Sequence, residues 1–168
     1  MQFDLKRFFQ TGQTPYTVRL ECDLSDYNWP DYQPQQPIKA AFEAVPTRQG
    51  VELTLSVDAA VDAQCGRCLE PLTREFSFTR EWALRLSDLE SDELELPISE
   101  NGQLDLDELV FEELILEVPP VLLCSMDCEG LCPVCGKPKA AGCSCCKADS
   151  VDAPADERLA ILKQLLNE

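Results

Sequence analysis

Cysteine is the residue type that most constrains how this chain can fold. The sequence has ten cysteines and no histidine. Eight thiolates would complete two four-thiolate zinc centres, and without His the thiolate is the only soft ligand available. The pattern therefore predicts metal sites rather than a catalytic centre. The eight cysteines fall into a mid-chain pair and a later group, namely Cys65 and Cys68, then Cys124, Cys128, Cys132, Cys135, Cys143 and Cys145.

The later group contains enough thiolates for one complete local site. In it, the sequence Cys132-Pro133-Val134-Cys135-Gly136 is followed by Cys143-Ser144-Cys145. Tetrahedral zinc needs sulfurs about 2.3 Å from the metal, and the glycine after the second Cys helps the backbone turn tightly. Cys146 adjoins Cys145, so either thiolate could be the fourth ligand, and the spacing favours Cys145.

The other four cysteines are assigned by counting. Cys124 and Cys128 remain from the later group, and Cys65 with Cys68 is the only unassigned pair elsewhere. We predict that these four share a second ion, which would clip the mid-chain CxxC to the C-terminal module. Iron–sulfur ligation by the same residues is an alternative, because four-thiolate sites accept either metal.

A dithiol redox centre is a different interpretation of Cys65-Gly66-Arg67-Cys68. A neighbouring Arg lowers the pKa of a thiol, which would favour such chemistry. Thioredoxin-like motifs place the first Cys at the start of a helix, however, whereas residues 69–72 lead into a predicted strand. The pattern therefore favours a metal knuckle at the tip of a β-hairpin.

The first half of the chain predicts an antiparallel sheet. Residues 51–58 alternate apolar and polar side chains, which is typical of a half-buried strand. Cys22 falls on the apolar side of such an alternation and is expected to be buried. A helical turn is predicted at Leu5–Phe9 and a loop at Asn28–Pro37. The predicted strands are Thr17–Leu24, Ile38–Val45, Val51–Val61 and Thr73–Leu86.

Two linkers and two helices complete the predicted organisation. Asp88–Gly102 is acidic and is expected to be a mobile linker. Asp105-Leu106-Asp107-Glu108 resembles a capping box with Asp105 as the N-cap, and Pro119-Pro120 would stop that helix, whose apolar side chains would pack on the sheet. Asp152–Asp156 is predicted to be a second linker and Glu157–Asn167 a terminal amphipathic helix.

These elements predict an α+β fold: an antiparallel β-sheet with a packed helix and a C-terminal cysteine-rich zinc-binding module. Residues 1–120 would form the sheet domain with its CxxC hairpin tip, acidic linker and helix. Residues 121–168 would form the cysteine-rich module and the terminal helix. At 168 residues and 45 % hydrophobic content, the chain can bury a core of this kind.

Charge and composition narrow the function classes. The formal net charge is −17, and residues 87–117 contain twelve acids and no Lys or Arg. Broad phosphate binding is therefore not expected, since nucleic-acid affinity depends on basic side chains. Nothing resembles a signal peptide or membrane span, which predicts a cytoplasmic protein with reduced thiols. The absence of a His base and of a phosphate-binding glycine loop predicts no enzyme activity and no small-molecule substrate.

The ordered motifs resemble one known family. The sequence runs through CGRCLEP, an acidic segment, LDLDELVFEELILEVPP, LCSMDCEGLCPVCG, a later CSC and ERLAILKQLL, and in this order it is similar to the YceD family over nearly the whole chain. The chain departs from many relatives at Lys137-Pro138-Lys139 and at Asp156-Glu157-Arg158-Leu159. The family's cysteines fall on the same eight positions that counting selects.

The resemblance implies a role in ribosome biogenesis. Family members are described as large ribosomal RNA subunit accumulation proteins, needed for normal levels of 23S ribosomal RNA. We therefore expect this chain to support accumulation of that RNA by binding, with two zinc ions and a ribosomal protein or assembly factor of the large subunit as partner. Direct RNA contact is the second choice, and no RNA-binding residue is assigned. A redox centre or a generic zinc-dependent interaction module is the alternative function.

Overall fold

The computed structural model describes residues 1–90, 96–142 and 145, and within them the chain is α+β. Two 3-10 helices span Leu86–Glu90 and Lys139–Ala141. The antiparallel sheet and the packed helix confirm the predicted fold class. The other elements, in chain order, are β1 (Gln2–Asp4), α1 (Leu5–Thr11), β2 (Tyr16–Cys22), β3 (Tyr32–Pro34), β4 (Ile38–Pro46), β5 (Val51–Gln64), β6 (Pro71–Leu84), β7 (Gln103–Asp105) and α2 (Leu106–Glu117).

The chain divides into two compact units. The body consists of Met1–Cys65 and Glu70–Cys124, and the small unit consists of Gly66–Leu69 and Ser125–Glu168. The division predicted from the sequence, residues 1–120 and 121–168, stays a prediction. All seven strands and both α-helices found in the described residues belong to the body.

Strand β5 organises the main sheet of the body. It pairs with β6 along one side over the full length of both strands. On its other side it pairs first with β4 and then with the short β3, while β2 pairs with the outer side of β4. A hydrogen bond of 2.9 Å from the Thr47 N–H to the Gly50 carbonyl closes the β4–β5 turn. The predicted antiparallel hairpin is therefore confirmed, and the CxxC lies in the β5–β6 connection.

The alternation in the sequence explains which face of the sheet is buried. Side chains of β5 alternate between the core and the outer face, as period-two patterns require. Cys22 is 2 % exposed and lies in the same core, which confirms that it behaves as a small apolar residue. The largest fully buried side chains are Phe42, Leu5, Leu24, Ile38, Leu53, Leu55, Leu104, Leu106, Leu109, Leu114, Val57 and Val61.

Helix α2 begins and ends where the sequence predicts. The Asp105 carboxylate caps it by accepting hydrogen bonds from the Asp107 and Glu108 N–H groups, at 3.0 and 3.5 Å. The other half of a capping box is not made, because the Asp105 N–H donates to the Pro97 carbonyl at 3.0 Å. The helix ends before Pro119, and its apolar side chains join the core of the body, apart from Leu116, which is exposed.

Three very short strands were not predicted. Strand β3 lies inside the segment predicted to be the loop Asn28–Pro37, and β1 pairs with β7 in a second small sheet. Three residues are too few to produce a recognisable period. Pro34 argues further against a strand, and it is tolerated because, among the described strands, β3 pairs only with β5 and lies at the sheet edge.

The acidic segment differs from the mobile linker that was predicted. In its described parts, Leu86–Glu90 forms a 3-10 helix and Ile98 forms a β-bridge with Leu104. Leu89, Leu96 and Ile98 pack partly buried against the core, so apolar residues among the acids order the segment. Residues 91–95, the predicted second linker 152–156 and the predicted helix 157–167 lie outside the described residues.

An ion pair fixes helix α2 to strand β6. Arg80 donates to Glu113 at 3.1 Å and to Glu117 at 2.7 Å, and the hydrogen bond with Glu117 contributes most to raising the pKa of Arg80. Glu113 is the buried member, at 9 % exposure. We expect Arg80→Ala to lower the free energy of unfolding by about 2 kcal/mol, because it leaves a buried carboxylate without its cation.

Urea unfolding of Arg80→Ala measures this loss. The double variant Arg80→Ala, Glu113→Gln is its control and should recover part of the stability, because the buried charge is then gone. If Arg80→Ala were as stable as the original chain, the ion pair would contribute nothing.

Tyr32 contains a buried hydroxyl that accepts and donates no hydrogen bond among the described residues. Its ring packs on Trp29 with centroids 5.8 Å apart, and burial raises the pKa of the phenol. Tyr32→Phe keeps the ring and removes the polar atom, so we expect it to raise the free energy of unfolding by about 1 kcal/mol. Thermal unfolding is the measurement, and a clear loss of stability would contradict an unsatisfied hydroxyl.

Candidate metal centres

Four of the predicted ligands come together in one thiol cluster. The Sγ atoms of Cys65, Cys68, Cys124 and Cys128 all lie within 4.8 Å of one another. Sulfurs arranged tetrahedrally about 2.3 Å from a zinc ion would be about 3.8 Å apart. The cluster therefore fits a metal ion after shifts of about 1 Å or less. Cys65 and Cys68 are buried, at 0 % and 6 % exposure.

Hydrogen bonds within the body position two members of this cluster. The Cys65 N–H donates to the Glu70 carbonyl at 2.9 Å and closes the β5–β6 turn. The Cys124 N–H donates to the Cys65 sulfur at 3.4 Å. Arg74 donates from its guanidinium to the Leu123 carbonyl at 2.8 Å and to the Cys124 carbonyl at 3.4 Å. A side chain of β6 therefore holds the segment that carries Cys124.

Arg67 performs the same task within the small unit. Its guanidinium donates to the Cys128 carbonyl at 3.0 Å and to the Met126 carbonyl at 3.3 Å. Gly130 approaches the same arginine so closely that an added Cβ would lie 3.2 Å from the Arg67 carbonyl oxygen. The backbone around Cys128 is therefore held by the residue that precedes Cys68.

Three more predicted ligands form a second cluster in the small unit. The Sγ atoms of Cys132, Cys135 and Cys145 lie within 4.8 Å of one another, and those of Cys132 and Cys145 are 3.5 Å apart. The Val134 N–H donates to the Cys132 sulfur at 3.4 Å, which suits a sulfur carrying negative charge. The Gly136 N–H donates to the Cys132 carbonyl at 2.9 Å and tightens the turn.

Cys22 shows what a buried thiol outside the clusters looks like. Burial in the apolar core raises its pKa to about 12, so it stays a protonated thiol at neutral pH. It belongs to neither cluster. The two clusters, by contrast, gather several thiols together with N–H donors, an arrangement that can hold metal ions.

Comparison with known proteins identifies the family. The family model described as "Large ribosomal RNA subunit accumulation protein YceD" matches residues 53–166, which is more than half of the chain and includes every clustered cysteine. The chain belongs to the YceD family. The printed description of this family refers to accumulation of large-subunit ribosomal RNA.

Relatives of this YceD family member occur in mycobacteria. An uncharacterized protein of Mycobacterium bovis and one of Mycobacterium tuberculosis are each 33 % identical to it over 100 residues, covering 55 % of this chain and 46 % of the relative. The match thus spans about half the length of these relatives. No solved structure matches the chain significantly. Among the described residues, no helix is long and apolar enough to cross a lipid bilayer.

The structure of this YceD family member brings together seven of the eight cysteines selected from the sequence, in the two groups predicted by counting. The eighth, Cys143, lies outside the described residues, as does Cys146, the alternative to Cys145. That these thiols bind a metal stays a prediction. The positioning roles of Arg67 and Arg74 were not predicted from the sequence. The sequence did contain a signal for Arg74. It lies two positions before Phe76 and therefore on the face of β6 whose apolar side chains point inward.

Arg74 should affect metal affinity in this YceD family member. Arg74→Met keeps the aliphatic stem but removes both hydrogen bonds to the segment that carries Cys124, so we expect metal affinity of one centre to fall about tenfold. Competition with a chromogenic chelator measures the affinity. Arg19→Met, an exposed arginine on β2, is the matched control and should leave it unchanged. Equal affinities for the two variants would exclude the positioning role.

Proposed function

We propose that this chain is a non-enzymatic zinc protein that supports accumulation of large-subunit ribosomal RNA by binding a partner. The observation that carries the proposal is the family match over residues 53–166, which contains both cysteine clusters. Zinc is the proposed metal because it favours tetrahedral thiolate sites and has no redox chemistry of its own. We place the protein in the cytoplasm, where thiols stay reduced.

The proposed ligand sets follow the two clusters. Cys65, Cys68, Cys124 and Cys128 would hold one ion, and a second ion would be held by Cys132, Cys135, Cys145 and the eighth predicted ligand, Cys143. When bound, the first ion would join two segments that are distant in the sequence. The second ion would cross-link one loop. The residues themselves orient sulfurs through N–H donors and arginine contacts. This arrangement supports a structural role for the metal, since all four positions of each centre would be filled by protein.

The burial of the CxxC thiols argues against a dithiol redox function. Cys65 is fully buried and Cys68 nearly so, whereas reactive thiols are partly exposed. The β5–β6 turn also leads into a strand, not into a helix whose N-terminus would lower a thiol pKa.

A basic protein is the proposed partner. The chain has a net charge of −17, so complementary charge would attract a basic ribosomal protein or assembly factor and repel RNA phosphates. Capture of partners from cells, with and without nuclease treatment, tests this choice. Partners that persist after nuclease treatment support a protein contact, and partners lost with the RNA would count against it.

The test of the function is the ratio of large- to small-subunit ribosomal RNA in cells depleted of this protein. We expect the ratio to fall, to be restored by the original chain, and not to be restored by the double variant Cys132→Ser, Cys135→Ser. Cys22→Ser is the matched control, because it changes a buried thiol that lies in neither cluster. An unchanged ratio after depletion would overturn the proposed function.

A further inference from the structure

The two CxxC turns of this chain share one backbone geometry. In the first, the Cys65 N–H donates to the carbonyl five residues later, that of Glu70, at 2.9 Å. In the second, the Cys132 N–H donates to the Lys137 carbonyl at 2.8 Å, again five residues later. The residue after the second Cys has a positive φ in both turns, +60° at Leu69 and +69° at Gly136. The same geometry is therefore built once with leucine and once with glycine.

Glycine is the residue that this geometry favours. A Cβ added at Gly136 would meet nothing within 4 Å, so only the left-handed backbone conformation explains a glycine there. Leu69 adopts that conformation at the steric cost that a side chain imposes. It is the one residue other than glycine with a positive φ in the described part of the chain.

Packing among the described residues does not compensate for this cost. The Leu69 side chain is 56 % exposed. An apolar side chain that is both strained and exposed stabilises neither the turn nor the core. Strained residues of this kind concentrate at functional sites. The side chain is therefore expected to act on something outside the chain.

A second exposed apolar side chain lies on the neighbouring loop of the small unit. Met126 is 85 % exposed, and its carbonyl accepts the hydrogen bond from Arg67, two residues before Leu69. Arg67 thus joins the loop of Leu69 to the loop of Met126. Two exposed acids, Asp127 and Glu129, lie on the same loop and form no ion pair among the described residues.

We propose that Leu69 is a docking side chain that inserts into an apolar pocket on a basic protein, with Met126 on the loop joined by Arg67 as a second apolar contact. Protein interfaces have a buried apolar centre and a polar rim, and the exposed acids Asp127 and Glu129 on the Met126 loop match a pocket rimmed by Lys or Arg. The same acids would repel nucleic-acid phosphates. The choice of a basic protein of the large ribosomal subunit as partner rests on the proposed function.

The closing experiment uses the full metal-loaded chain and protein extracted from large ribosomal subunits and freed of RNA. Leu69→Gly removes the side chain and the strain together, so this variant should hold the same amount of metal and melt no lower than the original chain. We expect it to bind the extracted proteins about tenfold or more weakly, the effect of losing one buried leucine. Leu69→Met keeps an apolar side chain and should bind as the original chain does.

Leu86→Ala is the matched control, because Leu86 has the same 56 % exposure but an ordinary backbone. Its binding should be unchanged. Undiminished binding of the extracted proteins by Leu69→Gly would overturn the proposal. Weaker binding together with a lower metal content would also overturn it, because the Leu69 side chain would then be needed to stabilise the metal-binding turn. If the chain bound purified large-subunit RNA and Leu69→Gly weakened that binding, the choice of a protein as partner would be wrong.

The ribosomal RNA ratio separates this proposal from the proposed function. If depletion lowers the ratio and Leu69→Gly restores it as well as the original chain does, the docking role fails and the function stands. If depletion leaves the ratio unchanged, and Leu69→Gly is the one variant that fails to bind the extracted proteins, the proposed function fails and the docking role stands.

Discussion

Cys65→Ser is expected to reduce the bound metal from two ions per chain to one and to lower the free energy of unfolding by at least about 3 kcal/mol. Cys65 is fully buried, its sulfur accepts the Cys124 N–H, and its own N–H closes the β5–β6 turn. A serine in this place is a poor metal ligand, and the loss of a structural metal removes a large part of the folding energy of small cysteine-rich sites. Metal analysis and urea unfolding measure the two effects.

Cys22→Ser is the matched control for this prediction. Both residues are buried thiols, and in both cases sulfur is replaced by oxygen, but Cys22 lies in the apolar core of the body, with the Asp107 carboxylate as its polar neighbour. It should lose about 1–2 kcal/mol through burial of a hydroxyl and keep both metal ions. If Cys65→Ser also retained two ions per chain, its cluster would not be a metal site.

Chelation is expected to unfold the small unit. Its described part has little regular structure beyond the 3-10 helix Lys139–Ala141, and turns closed by single hydrogen bonds cannot offset the entropy of ordering the chain. Metal coupling can supply about 10 kcal/mol or more per site. We therefore expect the amide protons of Cys132, Gly136 and Lys139 to lose their protection from hydrogen exchange once a strong chelator removes the metal.

The core of the body provides the internal control for chelation. Amides in the middle of β5, which pair with strands on both sides, should keep their protection, because their stability comes from buried apolar side chains. Protection of Gly136 that persisted after complete metal removal would show that the small unit folds without metal.

The sheet was predictable because its signals are local and repeated. The alternation along β5 and the turn at Thr47–Gly50 specify the hairpin, and Asp105 with Pro119 specifies both ends of α2. The three-residue strands β1, β3 and β7 lack such signals, because their pairing depends on segments distant in the sequence. The order within the acidic segment was missed for a related reason: charge indicated a linker, while Leu96 and Ile98 pack against the core.

The two cysteine groups were predictable by counting, since a four-thiolate centre fixes how many ligands must be found. What counting could not provide was the means of holding the loops. Arg67 and Arg74 donate hydrogen bonds to backbone carbonyls of residues about fifty to sixty positions away, and the periodicity of the sequence does not predict such contacts. The strained backbone at Leu69 could not be predicted either, because a leucine after CxxC indicates the start of a strand until its φ is known.

The metal content of the purified chain shows whether the two thiol clusters bind zinc. Elemental analysis together with a visible absorption spectrum, on protein prepared without added metal, decides both stoichiometry and identity. We expect two zinc ions per chain and no visible absorption. A metal content near zero would contradict it, and a brown protein containing iron and labile sulfide would replace zinc with an iron–sulfur centre.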